Sequence, residues 1–132
     1  MSEIDEMLVL MNELDKIQTE IQLIGARTDH ARKLELVNKR RELSVHVGEI
    51  ASDAEALFKD TRLEHLQPEF NAKLGIMRHN IALHQSKFPA VNMDEAGADY
   101  LESARQVAAS LRDFVQFARS GLIDAARHRR AG

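Results

Sequence analysis

Apolar residues recur at alternating three- and four-residue intervals in four separate stretches of this chain. The third stretch shows the rhythm most clearly, since its members are spaced by steps of 4, 3, 4, 3 and 4: Phe70, Leu74, Met77, Ile81, His84 and Phe88. Residues at these intervals share one face of an α-helix. The pattern therefore predicts an amphipathic helix that carries a histidine where an apolar residue is expected.

Three further stretches have the same spacing and predict three further helices. The first stretch contains Met7, Leu10, Leu14, Ile17, Ile21 and Ile24. The second contains Leu36, Leu43, Val47, Ile50, Ala54 and Leu57, with Arg40 as a polar gap. The last contains Tyr100, Ala104, Val107, Leu111, Phe114 and Ala118, widened by Leu101, Ala108, Val115 and Leu122. The predicted helices span about residues 3–25, 29–59, 68–88 and 94–126.

Glycine and short polar residues indicate the boundary between the first two helices. Gly25 is suited to a left-handed C-cap, and Thr28 or Asp29 to the next N-cap. Two other glycines, Gly48 and Gly75, fall inside predicted helices. A small residue in a helix often permits close contact with a neighbouring helix, so we expect such contacts at both positions.

Prolines and a capping signature indicate the remaining boundaries. Pro68 suits the first turn of the third helix, where a missing N–H is tolerated, and Pro89 ends that helix. Asn92 or Asp94 can cap the fourth helix, and Glu95 lies at the capping-box distance from Asn92. All the connections are therefore short.

Four similar helices joined by short connections predict an all-α, antiparallel, up-down-up-down four-helix bundle. The alternative is a long coiled-coil hairpin followed by a second helical pair, which could be completed in a dimer. We expect one domain over residues 1–132, since the chain has no internal repeat and no low-complexity linker, and a short basic C-terminal tail at about 127–132.

Composition favours a cytoplasmic protein that binds neither nucleic acid nor membrane. The chain has no cysteine, its start is acidic, and no apolar run approaches the roughly 18 residues that a membrane span needs. Its net charge of −3 is the opposite of what a nucleic-acid binder usually carries. The basic run 39–41 is interpreted as a solvated face with local pairs such as Glu35 with Lys39.

Nothing in the sequence predicts catalysis, a metal, a cofactor or a small-molecule substrate. No histidine follows a carboxylate by three residues, as the helical di-iron motif requires, and His79 and His84 are five apart, so they point in different directions. A nucleophile elbow and a glycine-rich phosphate loop are also absent. We therefore expect a protein without enzymatic activity.

Two histidine segments suggest an alternative function in phosphorelay. His84-Gln85-Ser86-Lys87 and His30-Ala31-Arg32-Lys33 place lysine three residues after histidine. This spacing resembles part of the His-x-Leu-Lys-Gly pattern of histidine phosphotransfer domains, although the leucine and glycine are missing here. The resemblance implies a four-helix bundle with a phospho-acceptor histidine, and His84 and His79 are the candidates. The other interpretation of His84 is a core histidine that is hydrogen-bonded across the bundle.

An apolar run near the N-terminus suggests a protein-contact site. The five consecutive residues of 7–11 are all apolar and cover every side of a helix rather than one stripe. Methionine is suited to adaptable contacts because its side chain is flexible and polarizable. The candidate contact residues are Met7, Leu8, Val9, Met11 and, beside the stripe of the fourth helix, Phe117.

The sequence thus favours a non-catalytic, protein-binding helical bundle that acts as an adaptor, regulator or chaperone-like module. Its partner is expected to be another protein or a second copy of the chain. Small helical export chaperones of the flagellar and type III secretion kind are similar in size and acidity, but the similarity is one of architecture alone.

Overall fold

The computed structural model describes residues 2–95 and 97–131 and is an all-α helical bundle. The four helices are α1 (Glu3–Gly25), α2 (Ala31–Leu57), α3 (Gln67–Lys87) and α4 (Ala98–Ala131). Short 3₁₀ helices at Glu64–Leu66 and Ala90–Glu95 precede α3 and α4. The described part of the chain contains no β-strand, and the prediction of four helices is confirmed.

A capping box begins α1 at the predicted residue. The backbone N–H of Asp5 donates to Ser2 Oγ at 3.2 Å, and the backbone N–H of Ser2 donates to Asp5 Oδ2 at 3.3 Å. Both bonds satisfy N–H groups that the first helical turn leaves without a partner. The sequence signal for this cap is the Ser-x-x-Asp spacing, which the periodicity argument did not use.

The predicted caps between α1 and α2 are wrong. Gly25 is the last residue of α1, Ala26 follows it in a right-handed conformation, and no described glycine has positive φ. Asp29 does not cap α2, because its carboxylate accepts hydrogen bonds from Arg27 at 2.6 and 2.8 Å. Helix α2 begins at Ala31, after His30, which makes no side-chain cap bond.

The prolines act at α3 as predicted. Pro68 lies in the first turn of α3, and α3 ends at Lys87, two residues before Pro89. The last backbone bond of the helix is donated by Phe88 N–H to the carbonyl of His84, at 2.9 Å. The connection to the next element is therefore short, as expected.

The start of α4 differs from the prediction. Asn92 and Asp94 lie in the second 3₁₀ helix rather than at the N-cap of α4. The Asp94 carboxylate forms ion pairs with Arg32 and Lys33 at 2.6 and 2.7 Å. Helix α4 begins only at Ala98. It then continues to Ala131, so the backbone of the predicted basic tail is helical as far as that residue. Gly132 and the side chains of 95 and 128–131 lie outside the described part.

Most residues of the predicted apolar stripes form one main hydrophobic core. The cluster contains residues from all four helices, and its largest fully buried side chains include Met7, Met11, Leu14, Ile50, Phe70, Met77, Leu111 and Phe114. Phe70 is the centre of an aromatic contact chain, with ring centroids 5.0 Å from those of Phe58 and Phe114 in edge-to-face arrangement. Aromatic pairs with this geometry stabilise a core beyond their area alone.

Helix α1 packs against both α2 and α4, and α3 packs against α4. Early α1 meets late α2 where His46 donates from Nε2 to the Leu10 carbonyl at 2.8 Å. Late α1 meets early α2 where Glu20 pairs with Lys39. These contacts are those expected of a helical hairpin, whereas the up-down-up-down order of the whole bundle stays a prediction. Lys39 pairs with Glu20 and Glu42, and Glu35 pairs with Arg27 instead of the predicted Lys39.

Candidate functional site

The apolar run at the start of α1 does not form the predicted surface. Met7 and Met11 are 1% and 0% exposed and belong to the core, so neither is available for a partner. Leu8 is partly buried against the core, and only Val9, at 54%, is well exposed. The prediction assumed one buried face about 100° wide. Because α1 contacts two helices, a wider arc of it is buried.

The side chain of Phe117 also packs mainly within the bundle. Its ring is partly buried against the core, and Lys73 Nζ lies 5.8 Å from the ring centroid. The same Nζ pairs with Asp113 Oδ2 at 2.6 Å. Cation–π contact and ion pair together position the lysine of α3 over α4. Phe117 is therefore an intramolecular contact residue in the free chain.

His84 is a core histidine. It is 9% exposed, its Nδ1 shares a hydrogen bond of 2.8 Å with Ser103 Oγ, and its ring lies 5.5 and 5.2 Å from those of Phe88 and Tyr100. Burial, and secondarily the Arg40 guanidinium, lower the pKa of His84 from 6.5 to about 4. The imidazole is therefore neutral at pH 7 and enclosed by aromatic rings.

A small internal cavity of about 40 Å³ adjoins His84, at the meeting point of the four helices. Arg40 lines it and donates from its guanidinium to the Phe88 carbonyl at 2.9 Å, which explains the polar gap in the α2 seam. Burial lowers the pKa of Arg40. Gln18 lies opposite, and its buried Oε1 has no hydrogen-bond partner among the described residues. The cavity is too small for an organic ligand.

His79, the second phospho-acceptor candidate, is exposed on α3. The structure does not bring it near His84, since five helical residues turn the chain by about 500°. Within the described residues, no group of three or more histidine or carboxylate side chains is placed to hold a metal ion. The histidines thus do not assemble into a shared site.

A groove of about 560 Å³ that combines apolar and charged residues lies between the end of α1 and the first half of α4. We call the small residues of its lining the floor: Gly25, the last residue of α1, Ala26 directly after it, and Ala104 and Ala108 of α4. Gln22 and Tyr100 line the groove beside them. Leu101 borders it and is 56% exposed, although the sequence placed this residue on the buried stripe. The small floor leaves room for apolar side chains of another molecule.

Arginines form one rim of this groove, which we call the arginine row: Arg105, Arg112 and Arg119. The first two line the groove, and the third follows at the same spacing on the same face of α4. All three are exposed. Arg105 reaches only Glu102, at 3.6 Å between two well-exposed side chains, and no ion pair joins Arg112 or Arg119 to a carboxylate in the described part of the chain.

Sequence reasoning missed the arginine row, although its seven-residue spacing was available as a signal. Positions seven apart on a helix differ by only about 20° in direction. The groove itself was not predictable, because it depends on how α1 and α4 pack.

No family model matches the chain, and the searches of curated proteins and of solved structures likewise found no match. Within the described residues, none of the helices has the length and apolar character that crossing a membrane requires.

Proposed function

We propose that this chain is a non-catalytic, protein-binding helical bundle, an adaptor, regulator or chaperone-like module, that receives its partner in the α1–α4 groove. The observation that carries the proposal is the groove itself, with its apolar floor and with arginines that have no close carboxylate partner among the described residues. The absence of cysteine is compatible with action in the reducing cytoplasm.

The groove supports protein binding because it offers both parts of a typical recognition surface. Apolar side chains of a partner can be buried against the alanine floor, and the rim supplies charged groups that orient the partner. Arginine is enriched at such interfaces because its planar guanidinium binds carboxylates through two parallel hydrogen bonds.

A second apolar surface on α2 is less suited to this role. Leu34 and Val45 are 67% and 68% exposed on its outer face, but they are separated by about three turns with Arg41 between them. Scattered exposed apolar residues are common on protein surfaces. The α1–α4 groove instead brings apolar and charged residues together around one concave volume, so we propose it as the binding site.

Phosphotransfer has no comparable support. A phospho-acceptor must meet the aspartate of a partner protein, and His84 is enclosed between two aromatic rings. His79 is exposed, but no hydrogen bond or ion pair of its side chain is described that would orient it for phosphoryl transfer. We therefore do not propose the relay function.

Site-specific photocrosslinking in the native cell tests the proposal. A photoreactive residue replaces Ala109, which is exposed and lines the groove, and a matched control replaces Ala82, which is exposed on α3. We expect protein adducts from position 109 and few from position 82. Equal labelling from both positions, or no adduct from position 109, would contradict binding in the groove.

A further inference from the structure

We propose that the occupant of the α1–α4 groove is an acidic amphipathic helix of another protein, with carboxylates seven residues apart that pair with Arg105 and Arg112. This inference rests on the proposed function and specifies the chemistry of the partner. Three features of the molecule support it: the weak pairing of the arginines within the chain, their spacing, and the small residues that line the groove between the two helices.

The arginine row makes a single long ion pair among the described residues, between Arg105 and Glu102 at 3.6 Å, in a chain that has more acids than bases, 21 against 18. Several other basic residues pair more closely with carboxylates: Arg62 with Asp60 at 2.6 Å, Lys73 with Asp113 at 2.6 Å, and Arg32 with Asp94 at 2.6 Å. Arg112 and Arg119 form no such pair in the described part of the chain. Their charge is thus available to an external anion.

The spacing of the row matches a helix. Seven residues advance about 10.5 Å along α4, so the three arginines cover about 21 Å on nearly one line. A partner helix lying along α4 repeats its own side chains at the same interval. Carboxylates at positions seven apart can therefore meet consecutive arginines simultaneously.

The floor favours a helix with apolar residues between those carboxylates. Ala104 and Ala108 are one turn apart on α4, and Gly25, at the end of α1 beside the Tyr100 hydroxyl, lines the same groove. Small residues allow another helix to approach closely and insert larger apolar side chains. Duplex nucleic acid keeps the faces of its bases stacked inside and presents mainly phosphates, and the overall charge of −3 opposes its binding.

The test selects ligands for the full chain from a display library of helical peptides of about 21 residues, long enough to cover the row. One face of each peptide is randomised. We expect enrichment of Asp or Glu at two positions seven apart, with a large apolar residue between them. Selected peptides without this acidic pair would overturn the inference.

Charge reversal then locates the binding of the selected peptide. Arg105→Glu with Arg112→Glu should weaken binding at least about tenfold in fluorescence anisotropy, because two attractive pairs become repulsive. The control, Arg41→Glu with Arg78→Glu, changes the net charge equally at exposed positions on α2 and α3. Equal weakening by both double variants would show unspecific attraction and overturn the inference.

Other occupants give different results in the same protein. If sedimentation shows that the wild-type chain self-associates and that the double variant Arg105→Glu with Arg112→Glu does not, the groove binds a second copy of the chain. If duplex DNA displaces the peptide, and the DNA binds only when both arginines are present, the groove binds nucleic acid. Either result overturns the inference.

Failure of the inference can be distinguished from failure of the proposed function. If position 109 crosslinks to a protein whose contacted segment is not an acidic helix, protein binding stands and only the partner chemistry is wrong. If position 109 yields no adduct, the proposed function fails as well.

Discussion

His84 couples the stability of the bundle to pH. The ring is buried beside a permanent cation, Arg40, and its pKa of about 4 lies below the ordinary value of 6.5. Between these two values the unfolded chain binds more protons than the folded chain does. The free energy of unfolding therefore falls as the pH is lowered through this range, whereas above pH 6.5 His84 contributes no pH dependence.

We predict that lowering the pH from 7.5 to 5 reduces the free energy of unfolding by no more than about 2 kcal/mol through His84. Urea unfolding followed by circular dichroism measures this change. His84→Leu removes the titrating group and completes the apolar stripe of α3, so its stability should match the wild type closely at pH 7.5 and exceed it at pH 5. A pH dependence that is unchanged in His84→Leu would assign the effect to other groups.

Glycines inside the helices have different environments, although the sequence suggested a common role. A Cβ added at Gly48 or Gly75 would meet no atom within 4 Å, so the predicted close helix contacts at these positions are wrong. The close approach occurs at Gly121 of α4, where an added Cβ would lie 2.8 Å from Leu66 Cδ2. Replacement by alanine therefore has different consequences at these positions.

We predict that Gly48→Ala and Gly75→Ala each raise the free energy of unfolding by about 0.5–1 kcal/mol, because alanine restricts the unfolded backbone and favours helix. Gly121→Ala should be less stable than either variant, since Leu66 must move. Urea titration of the three variants at one pH provides the comparison. If Gly121→Ala raised the free energy of unfolding as much as Gly48→Ala does, the displacement of Leu66 would have no energetic cost.

Local sequence rules predicted the helices better than their ends. The buried seams followed from three- and four-residue spacing, and Pro68 and Pro89 lie at the ends of α3 as expected. The cap predictions failed where a carboxylate found a cation instead. Asp94 pairs with Arg32, 62 residues away in the chain, and no local pattern encodes such a partner.

The candidate site, too, was predicted only in part, because it depends on how the helices pack. Met11 is buried because α1 packs against α4 as well as α2. Leu101 is exposed because it borders the groove between α1 and α4. The periodicity of one helix determines which residues share a face. It does not determine how wide an arc of that face its neighbours cover.

At the scale of the whole molecule, two clusters of buried residues link the elements. The main core draws on all four helices, and a smaller cluster joins Ile24 and Leu36 of the first two helices to Ala90 and Met93 of the second 3₁₀ helix. A core shared by every helix favours cooperative unfolding, since no helix can separate without exposing the apolar surface of the others.

The last prediction concerns this cooperativity. Leu14 of α1 and Leu111 of α4 are 0% and 1% exposed in the same cluster. Leu14→Ala and Leu111→Ala should each lower the free energy of unfolding by about 2–5 kcal/mol, the range for buried leucine truncations. Val9→Ala and Leu23→Ala, at positions 54% and 65% exposed, are the controls and should change it by less than about 0.5 kcal/mol.

Two probes report on different parts of the bundle in these variants. Far-UV circular dichroism follows all the helices, and fluorescence of Tyr100, the only tyrosine in a chain without tryptophan, follows the start of α4 near the groove. Because both regions depend on one core, we expect coincident transitions by the two probes in the wild type and in each variant. If Tyr100 instead reports an earlier transition, α4 unfolds separately from the rest, and the groove opens before the bundle does.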